Sequence, residues 1–289
     1  MSLKLAPSDY EVYIPIAEWI EKHIKEWLFM QRPLFKKLSA PIDSVLNGLD
    51  TLFNFIPFPL VLLIFMYFGF RTNGIKFALI SAVSLIAIDL VDLWQETMTT
   101  LAMIFTAVIF CMIIGIPLGI IASRSRLFET ILRPILDIMQ TIPSFVYLIP
   151  VVMLLGIGKV PGLIAVCIYA IPPIVRLTNL GIRLVDKDVL EAAESFGANY
   201  WQKLFGIQIP LALPTIFAGV NQTIMMALAM VVIASMIGVQ GLGLPVLRAI
   251  SNQYLALGLM NGLAIVVLAI IFDRVTQRIG KRMQKYNSD

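Results

Sequence analysis

The feature that most constrains this chain is a series of long apolar runs. Residues 97–122, 209–238 and 256–272 contain no ionisable side chain, and only 14% of the 289 residues are charged. Soluble domains carry about 25% charged residues, and a transmembrane helix needs roughly 20 apolar residues. Because the runs are unbroken and do not alternate in polarity, they favour helices over a membrane β-barrel. The sequence predicts an all-α polytopic membrane protein with about seven transmembrane helices.

The expected helices divide the chain into four parts. We expect spans over residues 55–71, 75–91, 97–122, 135–157, 161–182, 209–238 and 256–273. The parts are an N-terminal amphipathic segment (1–50), two accessory transmembrane helices (51–93), a core (94–275) and a basic tail (276–289).

Basic residues concentrate in alternate loops and in the tail, which predicts the orientation. Those in the loops are Arg71, Lys76, Arg124, Arg126, Arg133, Arg176, Arg183, Lys187 and Lys203. With seven spans, these loops and the C-terminus are expected in the cytoplasm and the N-terminus outside. The net charge of +4 reflects these loops and gives no reason to expect a nucleic-acid partner.

The N-terminal segment contains an amphipathic pattern. Its apolar residues recur at three- and four-residue steps and are Ile16, Trp19, Ile20, Ile24, Trp27 and Leu28. Such a helix fits the outer membrane–water interface, or it packs on a partner subunit. The first residues, MSLKLAPSDYEVY, lack a basic region followed by an early apolar core, so no cleaved signal peptide is expected.

Several classes of function lack the residues they need. Ion-driven carriers usually place an acid or a histidine near the membrane midplane. The apolar runs 97–122, 209–238 and 256–272 contain neither. There is no nucleotide-binding G-x-x-x-x-G-K-[ST] loop and no catalytic motif, and His23 is the one histidine. Cys111 and Cys167 fall inside apolar runs and are expected to pack as small hydrophobes. We therefore expect no catalytic residue, no metal site and no cofactor within this chain.

One polar stretch between two apolar runs reads EAAESFGANYWQKLFGIQIP, residues 191–210. On a helical wheel, an apolar side that includes Val189, Phe196 and Trp201 separates from a polar side that includes Glu191. An amphipathic helix of this kind lies across the base of a bundle and leaves its outer face free for a partner. Gly197 allows a bend or the close approach of another backbone.

The spacing of this stretch resembles the EAA loop of permease subunits from binding-protein-dependent ABC importers. The pattern reads Glu191-Ala192-Ala193, then Gly197, then Ile207-x-Ile209-Pro210, with Ile209 where the family usually has leucine. The core over 94–275, with its EAA loop at 186–210, and the two preceding helices are similar to permeases of the glycine betaine/proline uptake group.

The resemblance implies a type I ABC importer fold and a set of partners in the bacterial inner membrane. Two copies of the permease would each receive one cytoplasmic ATPase subunit, which carries the ATP and magnesium, and an extracytoplasmic binding protein would deliver the solute. The EAA loop would form the coupling helix, through Glu191, Ala192, Ala193, Gly197 and Ala198.

Polar side chains inside the core spans are candidates for the translocation pathway. We select Gln140, Ser144, Tyr147, Asn221 and Met225, while contacts between helices or ordinary packing explain each of them as well. The resemblance implies a betaine-type solute, such as glycine betaine, proline betaine, trimethylamine N-oxide or choline. The alternatives are a permease for another small amine or amino acid, an ion-coupled carrier that works alone, or a membrane-embedded enzyme.

Overall fold

The computed structural model describes the backbone of residues 16–286 and the side chains of residues 18–19 and 22–281. These residues form helices joined by short turns, without a strand, which confirms the all-α prediction. The signal-peptide expectation at residues 1–13 and the end of the basic tail lie outside the described residues.

Thirteen α-helices follow one another along the described part of the chain. They are α1 (Ile16–Trp19), α2 (Glu26–Phe55), α3 (Phe58–Asn73), α4 (Ile75–Leu90), α5 (Trp94–Arg124), α6 (Arg126–Thr141), α7 (Leu148–Leu155), α8 (Lys159–Arg183), α9 (Lys187–Ser195), α10 (Tyr200–Lys203), α11 (Ile209–Ala234), α12 (Gly243–Asn252) and α13 (Leu255–Tyr286). The other helical elements of the described residues are two π-helical turns, Ile20–Lys25 and Leu204–Gln208, and two 3-10 turns, Ser144–Tyr147 and Ser235–Ile237.

The predicted count of seven spans is not confirmed. Within the described residues, four continuous helical stretches are long and apolar enough to cross a membrane, Trp94–Arg124, Lys159–Arg183, Tyr200–Ile237 and Leu255–Lys281. Two bent pairs raise the number to six if each counts as one span. The expected spans 55–71 and 75–91 correspond to α3 and α4, of 16 residues each. At 1.5 Å per residue such a helix is about 24 Å long, which is shorter than the roughly 30 Å of a bilayer core.

The expected span 135–157 is broken in two. α6 ends at Thr141, and the pair Arg126–Thr141 and Ser144–Leu155 is bent by 106°. Pro143 causes the break because its ring disfavours a helical residue before it, and Ile142 is accordingly extended with ψ of 131°. A bend this sharp was not predicted from the sequence.

The core of the bundle is formed by α5, α8 and α11, and α8 is the most buried of the four long spans. Gly115 and Gly119 of α5 lie directly against α8. A Cβ on Gly115 would be 2.4 Å from Ile174, and one on Gly119 would be 2.5 Å from the Cβ of Thr178. Gly115 and Gly119 therefore form a close helix contact, as small residues at such spacing do in membranes.

The accessory helices α3 and α4 attach to α13 at one end of the bundle. Arg278 donates to the carbonyl of Thr72 at 3.1 Å, and Asn73 donates to the carbonyl of Arg274 at 3.1 Å. The turn between α5 and α6 and the end of α8 lie together by direct contact. We call the end of the bundle that carries residues 186–210 the EAA end.

The N-terminal helix predicted from the apolar pattern is present and continues to Phe55. It meets α3 at an angle of 97°, so these two helices are nearly perpendicular. Lys159 pairs with Asp50 at 2.5 Å and fixes α2 to the start of α8. Leu28 and Leu46 are buried, whereas Trp27 and Leu38 are exposed, an arrangement typical of a helix at a membrane interface.

Candidate functional site

The EAA segment (residues 186–210) begins with a capped helix and turns sharply at Gly197. The carboxylate of Asp186 accepts from the amide of Asp188 at 2.9 Å and caps α9. At the other end, the amide of Ala198 donates to the carbonyl of Ala193 at 3.0 Å, and Gly197 donates to Glu194 at 2.9 Å. These two bonds form a Schellman motif, whose C′ position requires left-handed backbone. Gly197 has φ of +80°, so the structure explains the glycine of the pattern.

A second short helix continues the segment after this turn. Asn199 and Gln202 form a capping box, with hydrogen bonds of 2.8 and 2.9 Å between the side chain of one and the backbone of the other. Lys203 of α10 pairs with Glu194 of α9 across the turn. The EAA segment is thus two helices with a fixed angle between them. The bend expected as one role of Gly197 is confirmed, while a single helical wheel across the segment is wrong.

The exposed surface of the segment differs from the one the wheel predicted. No residue of α9 is buried. Phe196 is 93% exposed and Trp201 is 62% exposed, although the wheel placed both on the covered apolar side. The break at Gly197 redirects the chain, and Leu204 is the residue from that side that becomes buried. Large apolar side chains held in the open on a fixed turn are typical of a surface that binds a partner.

The structure places the five EAA candidates on this same turn. Glu191, Ala192 and Gly197 are exposed, and Ala193 and Ala198 are half-buried. A Cβ on Gly197 would meet no described atom within 4 Å. The close approach of another backbone of this chain, the other role expected of Gly197, is therefore absent among the described residues.

The exit of the segment is held by Arg124 at the end of α5. The Arg124 guanidinium donates to the side-chain oxygen of Gln208, which is buried, and lies 4.5 Å from the centre of the Tyr200 ring. Such a cation–π contact adds about 0.5–1 kcal/mol at an exposed site. No local sequence pattern indicates the hydrogen bond between Arg124 and Gln208, because these residues are 84 positions apart.

The entry of the segment is held by Arg183 at the end of α8. Its guanidinium donates to the carbonyl of Ala122 at 2.9 Å and to the carboxylate of Glu129 at 2.7 Å. Glu129 also accepts from Asn179 at 3.1 Å and from Arg133 at 3.0 Å. This network ties α5, α6 and α8 together at the EAA end.

A polar cavity of about 370 Å³ lies between α6 and α8 beside this network. Arg176 pairs there with Asp137 at 2.5 Å, and both side chains are partly exposed. The cavity is lined by Ala122, Glu129, Leu132, Arg133, Leu136, Asp137, Val175, Arg176, Asn179, Leu180 and Arg183.

Three of the five pathway candidates meet at the break between α6 and α7. Gln140 lies at the end of α6, and its amide nitrogen is 4.0 Å from the sulfur of Met226 on α11. Ser144 begins the 3-10 turn, which contacts α11. Tyr147 is buried, and its hydroxyl donates to the carbonyl of Met139 across the break. This hydroxyl replaces backbone bonds that the proline removes.

The other two candidates lie elsewhere on α11. Met225 is half-buried and packs against the apolar core. Asn221 donates to Asp273 at 2.9 Å and accepts from Thr276, both on α13, so its amide joins two helices. In the described residues, no group of three or more His, Cys, Asp or Glu side chains could hold a metal ion.

Comparisons with known proteins agree with this geometry. Residues 115–285 match the family described as "Binding-protein-dependent transport system inner membrane component". The glycine betaine/proline betaine transport system permease protein ProW of Escherichia coli is 48% identical over 94% of this chain and 77% of that protein. The glycine betaine/carnitine transport permease protein GbuB of Listeria monocytogenes is 44% identical over 93% of this chain and 96% of that protein.

A solved structure shares the fold. A chain of the MetNI methionine ABC transporter, in an inward-facing conformation, aligns with a TM-score of 0.59 and 21% identity. The alignment covers 67% of this chain and 95% of that chain. The fold expected from the EAA resemblance, that of an ABC importer permease, is confirmed.

Proposed function

Because this chain belongs to the family of binding-protein-dependent transport system inner membrane components, we propose that it is the permease subunit of an ATP-driven importer of betaine-type solutes. Glycine betaine is the solute common to the names of the two relatives. Spans without ionisable side chains at 97–122, 209–238 and 256–272 suit a zwitterion that carries no net charge. Proline betaine, trimethylamine N-oxide and choline are the other solutes of this class.

The EAA segment is proposed as the coupling helix that seats on a cytoplasmic ATPase subunit. The observation that carries this assignment is the exposed turn at Gly197, which holds Glu191, Ala192 and Phe196 open to a partner. ATP and magnesium would bind to the ATPase subunit. This chain would transmit the movement of that subunit to its transmembrane helices.

The remaining partners follow from the same architecture. Two copies of the permease would pair in the bilayer, two ATPase subunits would bind at the EAA end, and a binding protein would deliver solute at the opposite end. The basic loops support a cytoplasmic position for the EAA end and the C-terminus. Segment 1–50 would then lie outside, at the interface that the exposed Trp27 and Leu38 of α2 fit.

The pathway is proposed to run beside the α6–α7 break. Gln140, Ser144 and Tyr147 lie at this break, where helical hydrogen bonds are interrupted. Met225 stays a candidate because it adjoins Met226, whose sulfur lies 4.0 Å from the Gln140 amide. Non-helical backbone inside a membrane is tolerated where it is covered by protein or lines a cavity. Asn221 stays a candidate, with its bond to Asp273 supporting the alternative role of a helix contact.

Purification of the tagged chain from membranes tests the proposal. We expect an ATPase subunit to co-purify and a glycine betaine-loaded binding protein to stimulate ATP hydrolysis in liposomes. Stimulation by a different amine or amino acid would favour the alternative cargo. Uptake by the chain alone under an ion gradient would instead establish a secondary carrier and contradict the proposal.

A further inference from the structure

The α5–α6 turn (residues 122–129) contacts the EAA segment at its exit and the end of α8 just before its entry. At the entry, Arg183 donates to the carbonyl of Ala122 at 2.9 Å and pairs with Glu129 at 2.7 Å. At the exit, Arg124 donates to Gln208 and covers the Tyr200 ring. One short turn therefore contacts the two places where the EAA segment joins α8 and α11.

These contacts are stronger than ordinary surface pairs. Gln208 is 6% exposed, so the charged donor satisfies a buried amide. The Glu129 side chain is 19% exposed and also accepts from Asn179 at 3.1 Å. Hydrogen bonds with one ionised partner are about twice as strong as neutral ones, and removal of the Arg124 guanidinium leaves the buried side-chain oxygen of Gln208 without this donor.

The turn leads directly into α6. Ser125 caps this helix by accepting from the amide of Phe128 at 3.2 Å, and Gln140 lies at its far end before the break. A helix held at its first turn moves with the group that holds it, because packed elements shift as rigid bodies. A displacement of the EAA segment thus reaches the α6–α7 break through the turn.

We propose that Arg124 and Glu129 are positioning residues that couple movement of the EAA segment to α6 and so to the α6–α7 break. This inference rests on the proposed function, since it requires an ATPase subunit that moves the EAA segment. Neither residue belongs to the EAA pattern, and neither was a candidate from the sequence.

The test uses the whole transporter, with permease, ATPase subunit and binding protein reconstituted in liposomes. The measured quantity is glycine betaine taken up per ATP hydrolysed, together with the amount of ATPase subunit retained on purification. Arg124→Ala and Glu129→Gln are each expected to lower this ratio roughly tenfold while the ATPase subunit stays bound. The matched control is Arg126→Ala, which removes the same charge from an exposed position of the same turn and should stay within about twofold of the wild type.

The outcomes separate the two proposals. An unchanged ratio in both variants would overturn the coupling role of the turn, and so would loss of the ATPase subunit from Arg124→Ala, since the residue would then act in docking. If Arg124→Ala fails to insert, Arg124→Lys keeps the charge but not the planar fork, and the same loss is expected. A wild-type chain that retains no ATPase subunit would contradict the proposed function itself, and this inference with it.

Discussion

Lys203 forms an ion pair with Glu194 across the turn at Gly197, so α9 and α10 are joined by side chains as well as by the chain. The turn itself is closed by the bond from Ala198 to Ala193. Its geometry depends on left-handed backbone at one position, Gly197. The proposed coupling surface is therefore a defined turn, closed by backbone hydrogen bonds and by an ion pair.

Gly197→Ala is expected to disturb this shape, because an alanine in left-handed backbone costs about 1–2 kcal/mol. The added methyl group meets open space, so strain of the backbone is the whole effect. We expect lower ATP-driven uptake with normal insertion, measured in proteoliposomes. Gly206→Ala is the control, since its Cβ also meets open space but its φ is not positive. Equal uptake in the two variants would contradict the role of the turn.

Phe196→Ala is expected to weaken binding of the ATPase subunit. Truncation of a central aromatic side chain in an interface costs about 2 kcal/mol or more, which corresponds to a roughly thirtyfold higher Kd. The measurement is titration of the purified permease with the ATPase subunit. Phe55→Ala provides a matched control, because Phe55 is 84% exposed but lies on α2 and outside the EAA segment. A loss of binding in Phe55→Ala of the same size would remove the assignment of Phe196.

Glu191→Lys is expected to abolish ATP-coupled uptake while the chain still inserts. The residue is exposed on α9, so reversal of its charge changes the surface offered to the partner and not the fold. Co-purification of the ATPase subunit and uptake are measured together. Asp43→Lys makes the same change of charge at an exposed position of α2, and we expect wild-type uptake there. Wild-type uptake in Glu191→Lys would remove this residue from the coupling surface.

Sequence reasoning reached the helical class and the family, because hydropathy and the spacing of the EAA residues are local patterns. It placed Phe196 on a covered face because a helical wheel assumes one continuous helix, and the Schellman motif at Gly197 ends that helix. The glycine that follows the EAA residues was a signal that the segment contains two helices, each of which needs its own helical wheel.

The network at the α5–α6 turn was beyond sequence reasoning for a different reason. Arg124 and Gln208 meet because α5 and α11 both pack on α8, and no local pattern specifies which arginine of several in a basic loop reaches a buried amide. The count of seven spans stays unconfirmed, since hydropathy does not report whether a helix of 16 residues runs straight across a bilayer.

Gly119→Ala is expected to destabilise the bundle. Its Cβ would lie 2.5 Å from the Cβ of Thr178 and 2.8 Å from the carbonyl oxygen of Val175, so α5 and α8 must separate. Overpacking of this kind costs about 1–3 kcal/mol, and the Tm of the detergent-purified chain should fall. Gly262→Ala is the control, because a Cβ there meets open space on α13. A Tm that does not fall in Gly119→Ala would show that the two helices are not in this contact.

Gln140→Leu and Asn221→Leu are expected to separate a pathway role from a helix contact. The Gln140 amide makes only a long contact, 4.0 Å to the sulfur of Met226, so its loss should leave the Tm unchanged. If this amide faces the solute, the maximal uptake rate at saturating binding protein should fall about three- to tenfold, the effect of one hydrogen bond.

Asn221→Leu instead leaves Asp273 without its partner across the helix contact. We therefore expect a lower Tm and an uptake rate per folded transporter close to that of the wild type. The reverse pattern, with a slower rate in Asn221→Leu and a lower Tm in Gln140→Leu, would place the pathway between α11 and α13 and away from the α6–α7 break.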